Sequence, residues 1–162
     1  KFVMPLVQPA YQEFVEFWKQ KIVPELDLKY VLSDSFSVMR AADVAIVTSG
    51  TATLEMMLHK TPMIVAYKTD KLTYAVGKRL IKVKHIALPN LLADKSLVPE
   101  YIQHAATPLE LSKGLLNLLD SAELRDEQVT KFHDLHLHLR HNAKETAASA
   151  IFDLLAKHNI QD

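Results

Sequence analysis

The sequence of 162 residues contains no cysteine, which excludes disulfide bonds and metal sites built on thiolates. It also carries no excess of charge, because 19 lysines and arginines balance 19 aspartates and glutamates. A balanced chain has no overall field that would attract nucleic acid or a strongly acidic partner. We therefore expect function to depend on local groups, with no nucleic-acid partner.

No apolar run is long enough to span a membrane. The longest runs, such as Met63–Tyr67, are five residues long, whereas a transmembrane helix needs roughly 20. No signal peptide is visible, and the chain opens on Lys1 and enters a strand-like segment, Phe2–Val7, at once. We expect a single domain over 1–162 that is a piece of a longer polypeptide.

Short apolar runs alternate with helical patterns in the first half of the chain. The predicted strands are Phe2–Val7, Leu28–Leu32, Asp43–Val47 and Pro62–Tyr67, and the predicted helices are Tyr11–Val23, a short one ending near Arg40, and Thr51–Lys60. Apolar strands without polar alternation are typical of parallel strands covered on both faces. The predicted fold class is therefore α/β, a Rossmann-like doubly wound parallel sheet.

The second half of the chain has helical patterns. Thr107-Pro108-Leu109-Glu110 indicates a helix start, with a capping threonine and a proline in the first turn. A last helix is predicted from Asn142 to about Lys157. The domain thus ends in a helical tail at about 122–158.

Glycine is scarce, and one of the three glycines, Gly50, lies where the third predicted strand turns into a helix. Ligands of open α/β sheets bind outside the carboxyl ends of the strands, and helix N-termini attract anions. Gly50 lets the backbone approach an anion, and the hydroxyls of Ser49 and Thr51 can donate to phosphate oxygens. The alternative is that these hydroxyls only cap the helix.

Glu55 follows Thr51 by four residues, on the same helix face and about 6 Å further along the axis. Its neighbours on this helix are mostly apolar. A phosphate at the helix start would bring a ribose near the Glu55 carboxylate, as in dinucleotide-binding folds. The alternative is a solvated surface glutamate.

Several segments resemble the lipid-A-disaccharide synthase family, in the same order along the chain. They are Ala42–Glu55, Lys60–Tyr67, Lys78–Lys82, Leu88–Ala93 and Leu139–Ala143. The Pro89-Asn90-Leu91-Leu92 block is specific to that family, whereas the Ser-Gly-Thr segment with its glutamate would fit many two-Rossmann-domain (GT-B) transferases.

The resemblance implies that this chain is the C-terminal, UDP-binding domain of a GT-B glycosyltransferase of lipid A biosynthesis. Such an enzyme transfers 2,3-diacylglucosamine from UDP-2,3-diacylglucosamine to 2,3-diacylglucosamine 1-phosphate and releases UDP. It implies that Ser49, Gly50, Thr51 and Glu55 hold UDP. It also implies an inverting hexosyltransferase, cytoplasmic and peripheral at the inner face of a Gram-negative cytoplasmic membrane.

The catalytic residues are not assigned in this chain. The resemblance implies an N-terminal acceptor domain and a Gly-Ser-Arg phosphate loop on an opening strand, and neither is present in the sequence. This chain alone is expected to be inactive. No Asp-x-Asp pair is present to hold a divalent ion, so we expect a metal-independent reaction without a cofactor.

Further cleft-lining residues are suggested by the same resemblance. They are Asn90, Arg79, Arg140 and Asn142. Asn90 needs no function as a turn residue, and Arg79 could meet a phosphate or face solvent. Arg140 and Asn142 are suggested by analogy, because the last segments of GT-B proteins often cross towards the partner domain.

A basic run with interleaved apolar residues includes Lys78, Arg79, Lys82 and Lys84. A basic amphipathic helix can bind an anionic membrane surface, where the lipid substrates of this family reside. The alternative is a solvated helix face whose apolar side lies in the core. A histidine cluster, His133, His136, His138 and His141, does not share one helix face, so we expect no metal site there.

Two other functions stay open. One is another UDP-sugar enzyme of the same fold, such as a sugar 2-epimerase. The other is a non-catalytic nucleotide-binding or interaction module. Homo-oligomerisation stays open as well.

Overall fold

The computed structural model of the protein describes residues 1–48, 50–70, 84–140 and 143–158, with side chains outside the description at 143–145 and 156–158. Its strands are β1 (Phe2–Leu6), β2 (Leu28–Leu32), β3 (Ala45–Thr48), β4 (Met63–Tyr67) and β5 (Glu100–Ile102). Its helices are α1 (Ala10–Ile22), α2 (Ser35–Ala41), α3 (Thr51–His59), α4 (Leu88–Ala93), α5 (Pro108–Asp120), α6 (Ala122–Leu139) and α7 (Ala143–His158).

All the strand pairs of the described residues are parallel. β1 pairs with β2, and β4 lies between β3 and β5 in a second sheet. Helices connect β1 to β2, β2 to β3 and β3 to β4, so the units are βαβ crossovers. The predicted α/β class and Rossmann-like parallel arrangement are confirmed.

Strand β4 is the centre of the hydrophobic core. Met63, Ile64 and Val65 have no exposed surface, because the neighbouring strands flank β4 and helices cover it. Phe132 of α6 and Met57 of α3 belong to the same core and are equally buried. This packing fixes α3, which follows the predicted phosphate turn, against the centre of the sheet.

The β1–α1–β2 unit is much less covered. Phe2 of β1 is 54% exposed, and Phe14 and Trp18 of α1 are 64% and 46% exposed. Helix α1 buries no residue completely. The prediction of a covered strand at Phe2–Val7 is therefore wrong for the described residues, where Leu6 alone in β1 is buried.

Lys60 joins the C-terminal end of α3 to α6. Its backbone is left-handed, with φ 62°, and its Nζ donates to the carbonyl of Phe132 at 3.0 Å and lies 3.0 Å from His136 Nδ1. Burial lowers the pKa of Lys60. The Lys60 charge is the main cause of a lowered pKa at His136, so a neutral His136 ring is favoured beside Lys60.

Helix starts in the second half follow the predicted capping. Thr107 Oγ1 accepts the amide of Glu110 at 3.2 Å at the start of α5. Helices α6 and α7 form the predicted helical tail. In the described part of the chain, no helix combines the length and the apolar character that a membrane crossing demands.

Candidate functional site at the carboxyl edge of the sheet

The carboxyl ends of β3, β4 and β5 lie side by side. Thr48 is level with Ala66, and Ala66 is level with Tyr101. Two positions beyond each of these residues stand Gly50, Lys68 and Gln103. The predicted phosphate turn therefore shares its edge with the cation of Lys68, which is exposed, and with the amide of Gln103.

Gly50 is the N-cap of α3 and has φ 138° and ψ −163°. This conformation is open to glycine and strained for every residue with a Cβ atom. A Cβ placed here would meet no atom within 4 Å. Backbone conformation, and not crowding, is therefore the reason for glycine at this turn.

The first turn of α3 presents open amides. No described side chain caps the helix, and its first backbone bond runs from the Thr53 amide to the Gly50 carbonyl at 3.1 Å. The amides of Thr51 and Ala52 precede that bond, so they have no acceptor within the helix. Thr51 is exposed. The helix start is accessible and carries partial positive charge.

Glu55 is half-buried on α3, one turn beyond Thr51. Its carboxylate makes no hydrogen bond or ion pair with any described residue. The residue is also less exposed than a glutamate on an open surface. Ser49, the remaining predicted member of the UDP site, lies outside the described residues.

Thr53 connects the turn to α4, a role that sequence reasoning missed. Its side chain is fully buried, and its hydroxyl donates to the Gly50 carbonyl at 2.7 Å. The same oxygen accepts the Leu88 amide at 3.2 Å. The start of α4 is thereby tied to the backbone of the turn.

Asn90 is a structural residue of the core and does not line a cleft, which corrects the prediction. It has no exposed surface. Its Nδ2 donates to the Val98 carbonyl and to Glu100, each at 2.9 Å. Its Oδ1 accepts the amides of Leu97 at 2.7 Å and Val98 at 2.9 Å. All four hydrogen-bonding positions of the Asn90 amide are used. These bonds hold the loop that leads into β5.

Glu100 at the start of β5 completes this network and was also missed. Its carboxylate accepts the amides of Ile86 at 3.1 Å and Ala87 at 2.8 Å, besides the Asn90 side chain. A carboxylate with several amide donors compensates for its own burial. The Pro89-Asn90-Leu91-Leu92 block is thus held in place by a glutamate ten residues beyond Asn90.

The other predicted residues do not join the site in the described structure. Arg140 lies near His136, whose pKa it helps to lower, and His136 lies against Lys60 at the C-terminal end of α3. Since α3 has nine residues, this end is about 13 Å from the turn, and a cleft-lining role for Arg140 stays a prediction. Arg79 and Asn142 lie outside the described residues.

The basic run and the histidines are described only in part. Lys84 has a side chain 78% exposed with its Nζ 3.7 Å from Asp94 Oδ1, whereas Lys78 and Lys82 lie outside the described residues. No described group of three or more histidine, aspartate or glutamate side chains is arranged to hold a metal ion. His141 lies outside that set.

Parallel strands joined by helices, with a glycine turn at the carboxyl edge, define a Rossmann-like α/β domain. The model of the lipid-A-disaccharide synthetase family matches residues 1–151. The chain belongs to this family.

Curated relatives agree with this assignment. Lipid-A-disaccharide synthase of Saccharophagus degradans is 47% identical over 82% of this chain and 34% of its own length. The synthases of Hahella chejuensis and Haemophilus influenzae strain Rd are 44% and 42% identical, over 97% and 99% of this chain and 39% and 42% of their own lengths. The chain thus spans about two fifths of the length of these relatives.

Replacing Gly50 with alanine is expected to reduce the free energy of unfolding by about 1–3 kcal/mol, because the backbone conformation at this turn is strained for alanine. Urea unfolding measures the loss. Thr51→Ala is the control, since Thr51 has ordinary helical geometry and is exposed, and its effect should stay within about 0.5 kcal/mol. Equal stability of the two variants would show that the turn does not require glycine.

Replacing Glu100 with leucine removes an acceptor that three donors share and should cost at least about 3 kcal/mol in unfolding free energy. Glu100→Gln should cost less, because one amide oxygen can still accept. Glu110→Leu is the control, since the Glu110 side chain is 44% exposed beside Lys113, and such pairs contribute about 1 kcal/mol or less. Similar losses for Glu100→Leu and Glu110→Leu would contradict the assigned role of the network.

Proposed function

We propose that this chain is the nucleotide-sugar-binding part of a lipid-A-disaccharide synthase. In the proposed reaction, 2,3-diacylglucosamine passes from UDP-2,3-diacylglucosamine to 2,3-diacylglucosamine 1-phosphate, and UDP leaves. The observation that carries the proposal is the Gly50 turn, which presents the open amides of α3 at the carboxyl edge of the sheet, with the Glu55 carboxylate one turn further along.

The proposed UDP site consists of the N-terminal end of α3 and of Glu55, one turn further along the same helix. The diphosphate accepts hydrogen bonds from the first amides of α3 and from Ser49 and Thr51, and the ribose hydroxyls donate to Glu55. An open helix start favours a bound anion. The half-buried carboxylate, without a described partner, supports the ribose contact, because such an acceptor gains most from a ligand donor.

The proposed chemistry is displacement of UDP with inversion at the anomeric carbon. An acceptor hydroxyl forms the new bond to that carbon, and the bond to the diphosphate oxygen breaks with its electron pair on UDP. The amides of α3 stabilise the charge that develops on the departing diphosphate, without a divalent ion in this proposal. Lys68 adds a cation at the same edge. The base that takes the acceptor proton is assigned to no residue of this chain.

We propose that an additional parallel strand lies between β1 and β3. Within the described residues, β1 pairs with β2 alone and β3 with β4 alone. Phe2 of β1 and Ile46 of β3 are 54% and 49% exposed, although apolar strands of parallel sheets are normally covered. A strand placed there would give the order β2-β1-new-β3-β4-β5, which is the doubly wound order of a complete Rossmann fold.

The proposed location is the inner face of the cytoplasmic membrane, because both proposed substrates carry acyl chains. Lys78, Arg79, Lys82 and Lys84 would attract anionic lipid, and the support for this is the charge pattern of the sequence together with the exposure of Lys84. An N-terminal acceptor domain would supply the other side of the cleft, which agrees with a chain spanning about two fifths of its relatives.

Calorimetric titration of UDP tests the nucleotide site. In the full-length polypeptide, Glu55→Ala should weaken UDP binding about tenfold, the effect of losing hydrogen bonds to a charged acceptor. Glu110→Ala, which removes an exposed glutamate from α5, should leave the affinity unchanged. Unchanged UDP affinity in Glu55→Ala would refute the ribose contact, and the same titration of the 162-residue chain measures what it binds unaided.

Amide hydrogen exchange tests the additional strand. The amide of Ala45 bonds to Pro62 of the β4 side, and the amide of Phe2 bonds to Asp27 on the β2 side. Because amide directions alternate along a strand, the amides of Ile46 and Val3 face the free edges. They should exchange quickly in the 162-residue chain and slowly in the full-length polypeptide, with Ala45 protected in both. Fast exchange of Ile46 and Val3 in both proteins would exclude the strand.

A further inference from the structure

Gln103 combines three unusual properties at the end of β5. It is a non-glycine residue with a positive φ of 52°. It is 8% exposed, so it is buried in spite of its polar side chain. Among the described residues, its Nε2 has no hydrogen-bond partner.

Each property is unfavourable for folding. A left-handed backbone is strained for glutamine, and a buried amide nitrogen without an acceptor has lost its contact with water. A buried glutamine amide can find partners in this fold, as Gln128 shows. Gln128 is 6% exposed, yet its Oε1 accepts the Met63 amide at 3.0 Å and its Nε2 donates to the Met63 carbonyl at 3.3 Å.

Gln103 also lies at the edge of the sheet where ligands of this architecture bind. It directly follows Ile102, the last residue of β5, which is level with Tyr67, the last residue of β4. Adjacent strands are about 4.8 Å apart, so the end of β5 is about 10 Å from the end of β3, which leads into the phosphate turn, and the end of β4 lies between them. Strained and unpaired groups collect at functional sites, and here both fall on one residue at that edge.

We propose that the Gln103 amide donates a hydrogen bond to the glycosyl part of the bound nucleotide sugar, and this rests on the proposed UDP site. The diphosphate lies at the Gly50 turn, with Lys68 closer to it than Gln103. The glycosyl group is the part of the ligand that extends past Lys68. Its hydroxyl and acyl carbonyl oxygens are uncharged acceptors, which suit a neutral amide donor. The last torsion of a glutamine side chain is broad, so the amide can turn towards the ligand.

Three substitutions, two at Gln103 and one at Gln128, separate a ligand contact from a structural amide. Gln103→Leu removes an unpaired buried amide, so the full-length polypeptide should keep or raise its Tm. The affinity for UDP should stay unchanged, and the affinity for UDP-2,3-diacylglucosamine should fall about five- to tenfold, the effect of one lost hydrogen bond. Gln103→Glu, which keeps the shape and loses the donor, should weaken the same affinity. Gln128→Leu should lower the Tm and leave the ratio of the two affinities unchanged.

The other outcomes are equally distinct. An unchanged ratio of the two affinities in Gln103→Leu overturns the glycosyl contact, whatever the Tm. An equal loss for UDP and for the UDP-sugar overturns it too, since the amide would then serve the nucleotide. If Glu55→Ala binds UDP as tightly as the wild-type protein does, the proposed ribose contact is wrong. The comparison of the Gln103 variants still tests the glycosyl contact by itself.

Discussion

The burial of β4 is the constraint on which the rest of the structure depends. Met63, Ile64 and Val65 are completely removed from solvent, and a strand this apolar is stable only with a parallel neighbour on each side and helices over its faces. These neighbours are β3 and β5. Because parallel strands end at the same edge, burying β4 also brings the turn after β3, the cation after β4 and the amide after β5 into one row. The core therefore sets the geometry of the candidate site.

Hydrogen bonds then connect that row to α4. The Thr53 hydroxyl contacts both the Gly50 carbonyl and the Leu88 amide, and Glu100 holds the two residues before Leu88. Since Glu100 begins β5, a single set of buried polar contacts links β5, the start of α4 and the turn at α3. Satisfied networks of this kind favour one arrangement of the backbone, because any alternative leaves a donor or acceptor unpaired. The turn is thus held in place by α3, through Thr53, and by the start of α4, which Glu100 fixes in turn.

The sequence predicts the elements better than the side-chain roles. Periodicity and capping locate α5 and the strand Met63–Tyr67, because burial and first-turn hydrogen bonds depend on residues close in the chain. It also points to Gly50 and Glu55 through their spacing. Asn90 shows the limit: its partners lie seven to ten residues away, and they face it only after the loop before β5 closes. Thr53 and Glu100 carry no signal in sequence, since each acts through contacts that the tertiary fold creates.

The exposed β1–α1–β2 unit marks a different limit. Its apolar pattern predicts a covered strand, because apolar strands of parallel sheets need neighbours that shield them from water. The described residues do not supply that environment. Large exposed apolar patches generally mark interaction surfaces, and the mismatch between the apolar pattern and the exposed surface is the basis for the additional strand that we propose. The same logic in reverse applies to Gln103, whose buried Nε2 has no partner among the described residues.

Positive φ angles distinguish structural strain from strain at the site. Among the described non-glycine residues, four have them: Ser33, Lys60, Asp94 and Gln103. Lys60 and Asp94 are C-caps, of α3 and α4, where a left-handed residue ends a helix by satisfying its last carbonyls. Ser33 follows β2 and donates its amide to Leu6 of β1, so the turn extends the strand pairing. Gln103 follows β5 at the carboxyl edge of the sheet, and it alone of the four joins a left-handed backbone to an unpaired buried amide in the described structure. Local rules are broken mainly where function requires it, and this is the physical reason for proposing a ligand contact at Gln103 and at none of the other three residues.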